Sequence, residues 1–449
     1  MAHITLSQSQ QRVFNALCSH ESINLLGPAG TGKTTVLSAY LKHLQDNEYK
    51  GKITCLAPTH RAAHVLRQSM STFVDSDLAF EVKTISAFLC YGPVMNPMPP
   101  FYEEFRKAGD WVCIDQAKDK WKYVETKSSD FIKADIMIID ECSMVSQEHL
   151  DNLLECSVEQ FVFTGDPYQL PPVNEEPVFP VEGYPSIELE EQHRAQNGDL
   201  QTTYRYFRNL VKSNGEGYRG VGHLKSNHVT LVRKSDLVID DRTPLVLSWT
   251  NATKDKYNTR IRKEYVGEEN THKEYADGDK VIAMRNVYCI DDHGWLSTKP
   301  VLNNGDEFRA SNVRTVKKRI CIDEPHEFLM WEISNGLKEV HFFAHNNEEN
   351  STRVVALYNR LKRKACKVKG NDRKPILRQL FVLKQLGVLV TRNRPLEQCY
   401  AMTVHKAQGS GMEEVIVDVK DIRKCHNGDQ WKLLYVATSR AKSKITLLV

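Results

Sequence analysis

The sequence lacks several features that mark specialised classes of protein. Its 11 cysteines include no CxxC pair, so neither a zinc ribbon nor a thioredoxin-like site is expected. The polar residues 1–10 contain no apolar core of a signal peptide, and no apolar run reaches the roughly 18 residues that span a bilayer. Because an odd and scattered set of cysteines is typical of reduced thiols, we expect a cytoplasmic protein with no membrane partner.

The sequence is also poor in net charge. Its 60 lysines and arginines nearly balance 57 aspartates and glutamates, which leaves a formal charge of +3 at pH 7. Bulk charge therefore does not indicate a nucleic-acid partner, and any surface that binds one must come from local clustering of basic residues. The 41% hydrophobic content is ordinary for a globular chain, and 449 residues predict about two to four domains.

Short apolar segments alternate with helical patterns along most of the chain. This alternation predicts an α/β fold built on parallel sheets that are covered on both faces. The predicted strands are 22–26, 53–57, 134–139, 160–164, 244–249, 399–404 and 414–419. The predicted helices are 33–44, 61–70 and 251–265. Because the alternation stops twice and then resumes, we interpret the chain as two such domains with insertions.

The two insertions differ in composition. Residues 91–131 carry prolines and aromatic residues among charged ones, and we interpret them as a small hairpin within the first domain. Residues 276–390 begin with short alternating segments that predict a β module. The basic run 360–378 follows, and it fits a track for phosphates and a solvated helix face equally. The predicted domains are 1–90 with 132–185, and 186–275 with 391–449.

Residues 27–34 read GPAGTGKT and match the GxxxxGK[ST] phosphate-binding loop between a predicted strand and a predicted helix. The glycines let backbone N–H groups face phosphate oxygens, and the positive end of the following helix strengthens the attraction. Lys33 is expected to reach the β- and γ-phosphates of ATP, and Thr34 is expected to bind Mg²⁺. The predicted nucleotide contacts of this segment are Gly27, Pro28, Ala29, Gly30, Thr31, Gly32, Lys33, Thr34 and Thr35.

Two carboxylates and a glutamine follow the next apolar strands. Asp140 and Glu141 end the strand 134–139, and Gln169 follows 160–164. Ligands of open α/β sheets lie at the carboxyl ends of the strands. We therefore predict that Asp140 holds the metal ion, that Glu141 polarises the attacking water, and that Gln169 senses the γ-phosphate. A solvated acidic turn and a plain Asp-Pro turn are the alternatives for the two segments.

Two arginines are candidates for completing the catalytic site. A motor driven by phosphoryl transfer needs arginines on a domain that closes over the nucleotide. Arg194, in EEQHR, and Arg440, in YVATSRA, both fall in the predicted second domain and are the candidates for this role. Gly409 is a further predicted nucleotide contact. Taken alone, each arginine would more often be a surface residue, so this assignment depends on the order of the surrounding motifs.

Polar residues that follow strands are the candidates for nucleic-acid contact. Short polar side chains and helix N-termini at a sheet edge hold a sugar–phosphate backbone without reading its sequence. Phe88 and Trp249 are candidates for base stacking, although a core position is the more common role of an aromatic residue, and a structural role competes for His405. The predicted set is Pro58, Thr59, His60, Arg61, Thr84, Phe88, Trp249, Asn251, Thr403, His405 and Lys406.

The order of these motifs resembles that of superfamily 1 helicases of the RecD-like group, and the chain looks most like the compact Dda helicases of tailed phages. Residues 6–10 resemble the Q motif, and the resemblance implies that Gln10 reads adenine. The other matching segments are 27–34 (I), 57–60 (Ia), 84–86 (Ib), 140–141 (II), 165–172 (III), 189–194 (IV), 403–409 (V) and 435–441 (VI). Two positions depart from the family pattern, since Ser86 stands where motif Ib often has histidine and Ser439 stands where motif VI usually has threonine.

The resemblance implies two RecA-like domains with ATP and Mg²⁺ between them and single-stranded DNA across them. It implies DNA-stimulated ATPase activity, 5′→3′ movement and unwinding at duplex junctions in replication, recombination or repair. It also implies a pin in 91–131 and an SH3-like fold for 276–390. A monomer is expected, acting with a single-strand-binding protein or replisome components, in the host cytoplasm if a phage encodes it. A translocase that displaces proteins without unwinding and a non-motor P-loop regulator are the alternatives.

Overall fold

The computed structural model describes most of the chain. The described residues are 6–72, 78, 80–89, 91–94, 122–125, 133–172, 175–191, 198–240, 242–284, 286–290, 300–322, 324–337, 339–343, 348–368, 372, 375–377, 379–380, 383, 395–425 and 428–449. Among the helices described, none is long and apolar enough to cross a membrane.

The first domain is built on six parallel strands in the order β3-β2-β6-β7-β1-β8. Along the chain they are β1 (Ile23–Leu26), β2 (Ile53–Ala57), β3 (Phe80–Thr84), β6 (Lys133–Ile139), β7 (Ser157–Gly165) and β8 (Ser186–Glu188). Strand β2 is buried along its whole length, which explains its continuous apolar run. Because all six strands run the same way, the segments that follow them meet at one edge of the sheet.

Helices cover both faces of this sheet. They are α1 (Gln8–Cys18), α2 (Lys33–Asp46), α3 (His60–Ser71), α4 (Ile85–Phe88) and α5 (Gln147–Leu154), with a short 3-10 helix at Cys142–Met144. Successive strand residues pack on opposite faces, so that Ile138 lies in one hydrophobic core and Ile139 in the other. Side-chain hydroxyls cap the first turns of several helices, and they belong to Ser7, Thr59, Thr84 and Ser146.

The first insertion is described at two short strands, β4 (Tyr91–Val94) and β5 (Lys122–Glu125). They pair antiparallel, which is what an inserted hairpin requires. The residues between them, 95–121, lie outside the described residues, so the role of this insertion as a pin stays a prediction.

The second domain is built on five parallel strands in the order β17-β10-β18-β19-β9. Along the chain they are β9 (Val229–Val232), β10 (Leu245–Ser248), β17 (Ala401–Thr403), β18 (Met412–Asp418) and β19 (Ala441–Leu448). The helices of this domain are α6 (Gly198–Lys212), α7 (Asn251–Val266), α9 (Val404–Ala407), α10 (Val419–Ile422) and α11 (Asp429–Thr438), with 3-10 turns at Gly222–Leu224, Lys234–Asp236 and Glu268–Asn270. Two parallel sheets covered by helices confirm the predicted α/β fold class.

The second insertion contains two three-stranded antiparallel sheets and a long helix, α8 (Glu348–Lys367). Its strands are β11 (Lys280–Ala283), β12 (Glu307–Arg309) and β16 (Leu396–Gln398) in one sheet, and β13 (Ser311–Ile322), β14 (Glu324–Ser334) and β15 (Glu339–Phe343) in the other. Helix α8 packs Leu357 and Leu361 against Phe328 and Met330 of β14. The first part of the basic run therefore lies on a helix with one buried face, and the SH3-like assignment stays a prediction.

Two predicted boundaries differ from the observed sheets. Strand β8 begins at Ser186 and pairs with β1, so the first sheet continues past residue 185. Strand β16 lies after residue 391, yet it pairs with β11 of the insertion and not with the second domain. Each of these strands has three residues, which is too short for a periodicity to indicate its sheet.

Candidate functional site

The phosphate-binding loop connects β1 to α2, as the sequence predicts. Gly32 has a φ angle of 80°, which glycine adopts without strain. A Cβ atom at this position would overlap Nε2 of Gln10, so a side chain there would have to displace the Gln10 amide. Lys33 Nζ donates to the carbonyl oxygens of Gly27 at 2.6 Å and Pro28 at 3.1 Å, which holds the ammonium group against the loop.

Gln10 packs on this loop from α1. Its Nε2 donates to the carbonyl oxygen of Thr31 at 3.1 Å, and its Oε1 accepts the backbone N–H of Ser7 at 3.0 Å, which completes a capping box. Thr31 is buried, and its hydroxyl donates to the carbonyl oxygen of Pro28 at 3.0 Å. The structure therefore places Gln10 at the nucleotide loop, while its contact with adenine stays a prediction.

Asp140 and Glu141 follow β6 at the same edge of the sheet. Glu141 has a φ of 52°, a left-handed conformation that costs a residue with a side chain about 1 kcal/mol or more and that is concentrated at functional sites. Burial and the Glu141 carboxylate raise the pKa of Asp140 to about 7, against the opposing effect of Lys33. Two crowded carboxylates fit a hard divalent cation such as Mg²⁺, which prefers oxygen ligands and would offset their repulsion.

A cavity of about 510 Å³, which we call the nucleotide cavity, brings the predicted catalytic groups together. Its wall includes Ala29, Gly30, Gly32, Lys33, Thr34, Thr35, Asp140, Glu141 and Gln169 from the first domain, and Gly409, Ser410 and Arg440 from the second. The cavity therefore lies between the two domains, and neither domain alone supplies the whole set of groups.

Arg440 reaches the nucleotide cavity from the end of α11. Its guanidinium group donates to the carbonyl oxygens of Val436 at 3.1 Å and Ser410 at 3.2 Å, and to the hydroxyl of Ser439 at 2.9 Å. Ser439, which departs from the family pattern of motif VI, thus supplies a hydroxyl that orients Arg440. Arg194 lies outside the described residues, so its place at the site stays a prediction.

A second cavity of about 510 Å³ lies at the carboxyl ends of β2 and β3, and we call it the cleft. Its wall includes Pro58, Thr59, His60, Arg61 and Thr84 from the first domain, Met284, Asn304 and Gly305 from the second insertion, and His405, Lys406 and Gln408 from the second domain. Helix α3 begins at the cleft, and a helix N-terminus is favourable for phosphate groups. Most of the predicted nucleic-acid contacts are thus brought into one groove.

Positive charge in the cleft comes from Arg61 and Lys406. Burial lowers the pKa of His60 and of His405, which favours the neutral imidazole at pH 7. A neutral imidazole donates one hydrogen bond and accepts one, so both histidines suit contacts with sugar and phosphate oxygens rather than ion pairing. Burial also lowers the pKa of Lys406, because its ammonium group is partly removed from water.

Several predicted nucleic-acid contacts lie elsewhere. Phe88 is 4% exposed and packs in the core beneath α4, which corrects its prediction as a stacking residue. Trp249 packs partly buried against the second-domain core, and its backbone N–H binds Asp421 at 3.0 Å. Asn251 is exposed at the start of α7, and Thr403 precedes α9. These last three side chains are not in the wall of the cleft, and their nucleic-acid contacts stay predictions.

Sequence reasoning missed the residues that link the two domains. Tyr435 Oη donates to Asp166 Oδ2 at 2.6 Å, and both residues are buried. Burial and the Asp166 carboxylate raise the pKa of Tyr435, so the phenol keeps its proton for this bond. Gln408 makes a second link, with its Nε2 lying 3.3 Å from the carbonyl oxygen of Leu170. These partners lie 269 and 238 positions apart, and only the fold brings them together.

A second group of potential metal ligands, Glu332, Glu339 and His341, lies on β14 and β15. The backbone N–H of Ile290 donates to Nδ1 of His341 at 3.3 Å, so the ring proton is on Nε2, which donates to Glu332 at 2.9 Å. The other oxygen of Glu332 accepts from Nε of Arg314 at 2.7 Å. Since Glu332, His341 and Arg314 already satisfy one another, we interpret them as a structural network.

Two family models match parts of this chain. Residues 5–227 match the family model described as an AAA domain, and residues 398–448 match the model described as a UvrD-like helicase C-terminal domain. The first match contains the phosphate-binding loop and the acidic pair, and the second contains Gly409 and Arg440. These matches and the nucleotide cavity support a nucleotide-binding enzyme of the P-loop class.

Curated relatives cover the chain to different extents. An uncharacterized protein of Acanthamoeba polyphaga mimivirus is 24% identical over an alignment of 498 residues, which covers 96% of each chain. An uncharacterized protein of Methanocaldococcus jannaschii is 24% identical over 485 residues, and the chain spans 38% of its length. The ATP-dependent DNA helicase PIF1 of Emericella nidulans is 28% identical over 181 residues, which is 37% of this chain and 20% of that protein.

Two solved structures are similar to this chain. Bacteroides Pif1 bound to ssDNA has a TM-score of 0.51 and 17% identity, with 100% of this chain and 93% of that chain covered. Pif1 helicase from Candida albicans has a TM-score of 0.48 and 18% identity, with 99% and 94% covered. The likeness to the Bacteroides structure confirms the predicted pair of RecA-like domains. The two family matches, rather than this likeness of fold, support a superfamily 1 helicase.

Proposed function

We propose that the protein is an ATP-dependent DNA helicase that moves 5′→3′ along single-stranded DNA and opens the duplex ahead of it. The observation that carries this proposal is the pair of cavities, each lined by both domains, because closure around a nucleotide must also reshape the cleft. The match to a helicase C-terminal domain and the relative named as a DNA helicase support DNA as the substrate. The resemblance to the RecD-like group supports the direction of movement.

The nucleotide cavity holds the groups that ATP hydrolysis needs. Thr34 and Asp140 offer oxygen ligands that fit Mg²⁺, which when bound supplies charge neutralisation for the β- and γ-phosphates. Glu141 lies beside Asp140, and in this proposal it accepts a proton from the attacking water. Lys33 exchanges its loop carbonyl partners for phosphate oxygens, and Arg440 stabilises negative charge from the opposite domain.

The cleft holds groups that grip a nucleic-acid backbone on both domains. Thr59, His60 and Arg61 lie at the start of α3, and His405 and Lys406 lie on the second domain. Hydroxyl, imidazole and cationic groups of this kind contact sugars and phosphates, which gives binding without preference for a base sequence. A motor that travels along DNA requires such sequence-independent contacts.

Movement follows if the two domains alternate between open and closed states. ATP drives closure only to the extent that it binds the closed state better than the open one, and Arg440 supplies such a difference because it reaches the nucleotide from the second domain. Each closure shortens the distance between the strand contacts of the first domain and those of the second, and hydrolysis allows the domains to open again. Because one closing movement brings together both the strand contacts and the catalytic groups, single-stranded DNA is expected to stimulate ATP turnover strongly.

Duplex opening is assigned to a pin in the insertion 91–131. We expect the protein to act as a monomer at duplex junctions in replication, recombination or repair, with a single-strand-binding protein or replisome components as partners. A translocase that displaces bound proteins and a non-motor regulator remain the competing functions.

Strand separation from tailed duplexes tests the proposal. Duplexes with a 5′ tail, a 3′ tail or blunt ends are incubated with ATP and Mg²⁺, and the released strand is measured. Unwinding from the 5′ tail alone is expected, and unwinding from the 3′ tail alone would overturn the direction. DNA-stimulated ATPase activity without unwinding would favour the protein-displacing translocase. Equal ATPase rates with and without DNA would contradict any motor and leave the regulator.

A further inference from the structure

Helix α8 of the second insertion carries a row of basic side chains on its outer face. Its inner face is formed by Val354, Leu357, Leu361 and Ala365, which are buried in one core with Phe328 of β14. Since these apolar positions recur at helical spacing, the positions between them face away from the core. The exposed basic residues of the last two turns, which we call the basic stripe, are Arg360, Arg363, Lys364 and Lys367.

No acidic residue balances the stripe along this part of the sequence. Residues 351–370 contain seven lysines or arginines and no aspartate or glutamate, although the whole chain has 60 basic and 57 acidic residues. Helix α7 differs, because its five basic residues are interspersed with Asp255 and Glu264, and its Lys263 pairs with Glu268 at 2.6 Å. A helix face that serves solvation alone usually carries both signs of charge, as α7 does.

The spacing of the stripe places like charges next to one another. Arg360 and Lys364 stand four positions apart, and so do Arg363 and Lys367. Like charges at this spacing weaken a helix by their repulsion. A bound polyanion would offset that repulsion, because its charges attract all four side chains. The stripe therefore fits an anionic partner that presents several charges in a row.

A double-stranded backbone fits the stripe better than a single strand. Proteins that bind single strands combine basic side chains with aromatic platforms on which the bases stack. Tyr358 is the one aromatic residue in the sequence of α8, and it is buried in the core. The stripe extends over roughly 10 Å, a length along which a duplex presents about six phosphate charges. Its four cations therefore match phosphates whose bases are paired and need no stacking surface.

We propose that the basic stripe of α8 binds the phosphate backbone of duplex DNA without preference for sequence, while the cleft holds the single strand. None of the four stripe residues is in the wall of the cleft, so this duplex contact is a separate site. The inference rests on the proposed function for its choice of DNA as the nucleic acid. It gives the second insertion a role at the junction, because a held duplex keeps the fork beside the motor.

The test combines Arg360→Gln, Lys364→Gln and Lys367→Gln in the full chain, which we call the stripe variant. Glutamine keeps a long side chain and a similar helix propensity while it removes each charge. The Kd of a fluorescent blunt duplex and that of a fluorescent oligothymidylate are measured by anisotropy over a series of salt concentrations, without ATP. Melting temperatures are measured alongside.

The matched control combines Lys256→Gln, Arg260→Gln and Lys263→Gln on α7. These three residues are exposed, have the same spacing as the three changed on α8, and remove the same net charge. Both Kd values of the control should stay within about twofold of the wild type, since its basic residues lie among acidic ones.

The stripe variant should lose duplex binding and keep strand binding. Its Kd for the duplex is expected to rise at least about tenfold, and the slope of log K against log salt should become shallower by about 2.7, which is about 0.9 for each lost phosphate contact. Its Kd for the oligothymidylate should stay within about twofold of the wild type.

Lysine acetylation of the wild-type protein gives a second measurement that does not depend on how a variant folds. Bound duplex should protect Lys364 and Lys367 from an amine-reactive acetylating reagent, as read by mass spectrometry of the peptides. Lys256 and Lys263 should react as fast with the duplex as without it. Protection of none of these lysines would overturn the inference.

Three further results would contradict the duplex contact. An unchanged duplex Kd in the stripe variant would leave a solvated helix face, and an equal loss in the control would attribute the effect to net charge. An equal loss of duplex and oligothymidylate binding would make the stripe a single-strand track. Unwinding by a protein that does not bind the blunt duplex would overturn this inference alone, whereas duplex binding without unwinding would contradict only the helicase.

Discussion

Arg61 Nη1 donates to Glu307 Oε1 at 2.7 Å, and this ion pair joins the first domain to the second insertion at the cleft. Arg61 lies in the first turn of α3 and is a predicted phosphate contact, while Glu307 begins β12. Gly305 lies against the arginine side chain, and a Cβ atom added there would be 3.5 Å from the Cβ of Arg61. A carboxylate thus occupies the position at which the proposed mechanism places a phosphate.

Removal of this carboxylate is expected to strengthen DNA binding. A strand that reaches Arg61 must displace Glu307, and a partly exposed ion pair is worth about 0.2–1 kcal/mol, which is about 1.4- to 5-fold in affinity. Glu307→Gln should therefore lower the Kd for single-stranded DNA by that factor in fluorescence anisotropy. Arg61→Ala should raise the Kd and reduce the slope of log K against log salt by about 0.7.

Glu264→Gln is the matched control, because it changes the net charge equally at an exposed position of α7 away from the cleft. An equal gain in affinity for both glutamine variants would attribute the effect to net charge and would contradict a specific competition at Arg61.

Lys33→Ala is expected to abolish ATP turnover and to leave strand binding intact. The Lys33 ammonium group faces the nucleotide loop, and removing one preorganised electrostatic contact from such a site costs about 100-fold or more in rate. Its side chain is not in the wall of the cleft, so the Kd for single-stranded DNA without ATP should stay within about twofold. Lys42→Ala, on the same helix, is the control that should retain turnover. Loss of strand binding by Lys33→Ala would contradict this placement.

The groups of the nucleotide cavity could be predicted because each is fixed by its own short segment. The loop with Lys33, the pair Asp140 and Glu141, and Gln169 each follow a buried strand directly, and parallel strands end at one edge. The neighbouring residues in the sequence therefore indicate both the role and the position of these side chains. Arg440 required in addition the order of motifs across the chain, since nothing in its own segment indicates which domain it faces.

The contacts between distant parts of the chain could not be predicted in this way. Glu307 lies in a short strand whose register depends on β11, and Gln408 finds its acceptors on another domain. The prediction of Phe88 as a stacking residue is wrong, because the sequence around a single aromatic residue does not distinguish a core position from a cleft. Partners that meet only after both domains have folded leave no local pattern of spacing or composition.

Arg262→Ala is expected to destabilise the junction between α7 and the second insertion. Asp279 is fully buried and accepts two hydrogen bonds of 2.8 Å from the Arg262 guanidinium group, together with bonds from Ala276 N and Tyr400 Oη. Removing the arginine leaves an unpaired buried carboxylate, which costs about 3–5 kcal/mol. Urea unfolding should show this loss, whereas Lys256→Ala on the exposed face of α7 should change stability by about 0.5 kcal/mol or less. A similarly small loss of stability in Arg262→Ala and in Lys256→Ala would contradict the role of Arg262 as the partner of the buried Asp279 carboxylate.

Acidification is expected to weaken the second insertion through His341. Burial lowers the pKa of His341 below its ordinary value of 6.5, against the opposing effects of Glu332 and Glu339, while Lys318 lowers it further. For Glu332, burial acts to raise the pKa, but the contacts with His341 and Arg314 outweigh it and lower the pKa.

The pKa values of His341 and Glu332 in the folded protein thus lie below those in the unfolded chain. The stability that these two groups contribute is therefore present at neutral pH and is lost as the pH falls. The unfolded chain takes up the His341 proton first, below about pH 6.5, and the contribution of His341 to stability should decline there by at most about 1.4 kcal/mol per pH unit. Urea midpoints at pH 7.5, 6.5 and 5.5 should show this slope in the wild type and a flatter one in His341→Gln. His272→Gln removes an exposed histidine and should keep the wild-type slope. The same slope in His341→Gln as in the wild type would show that another group carries the pH dependence.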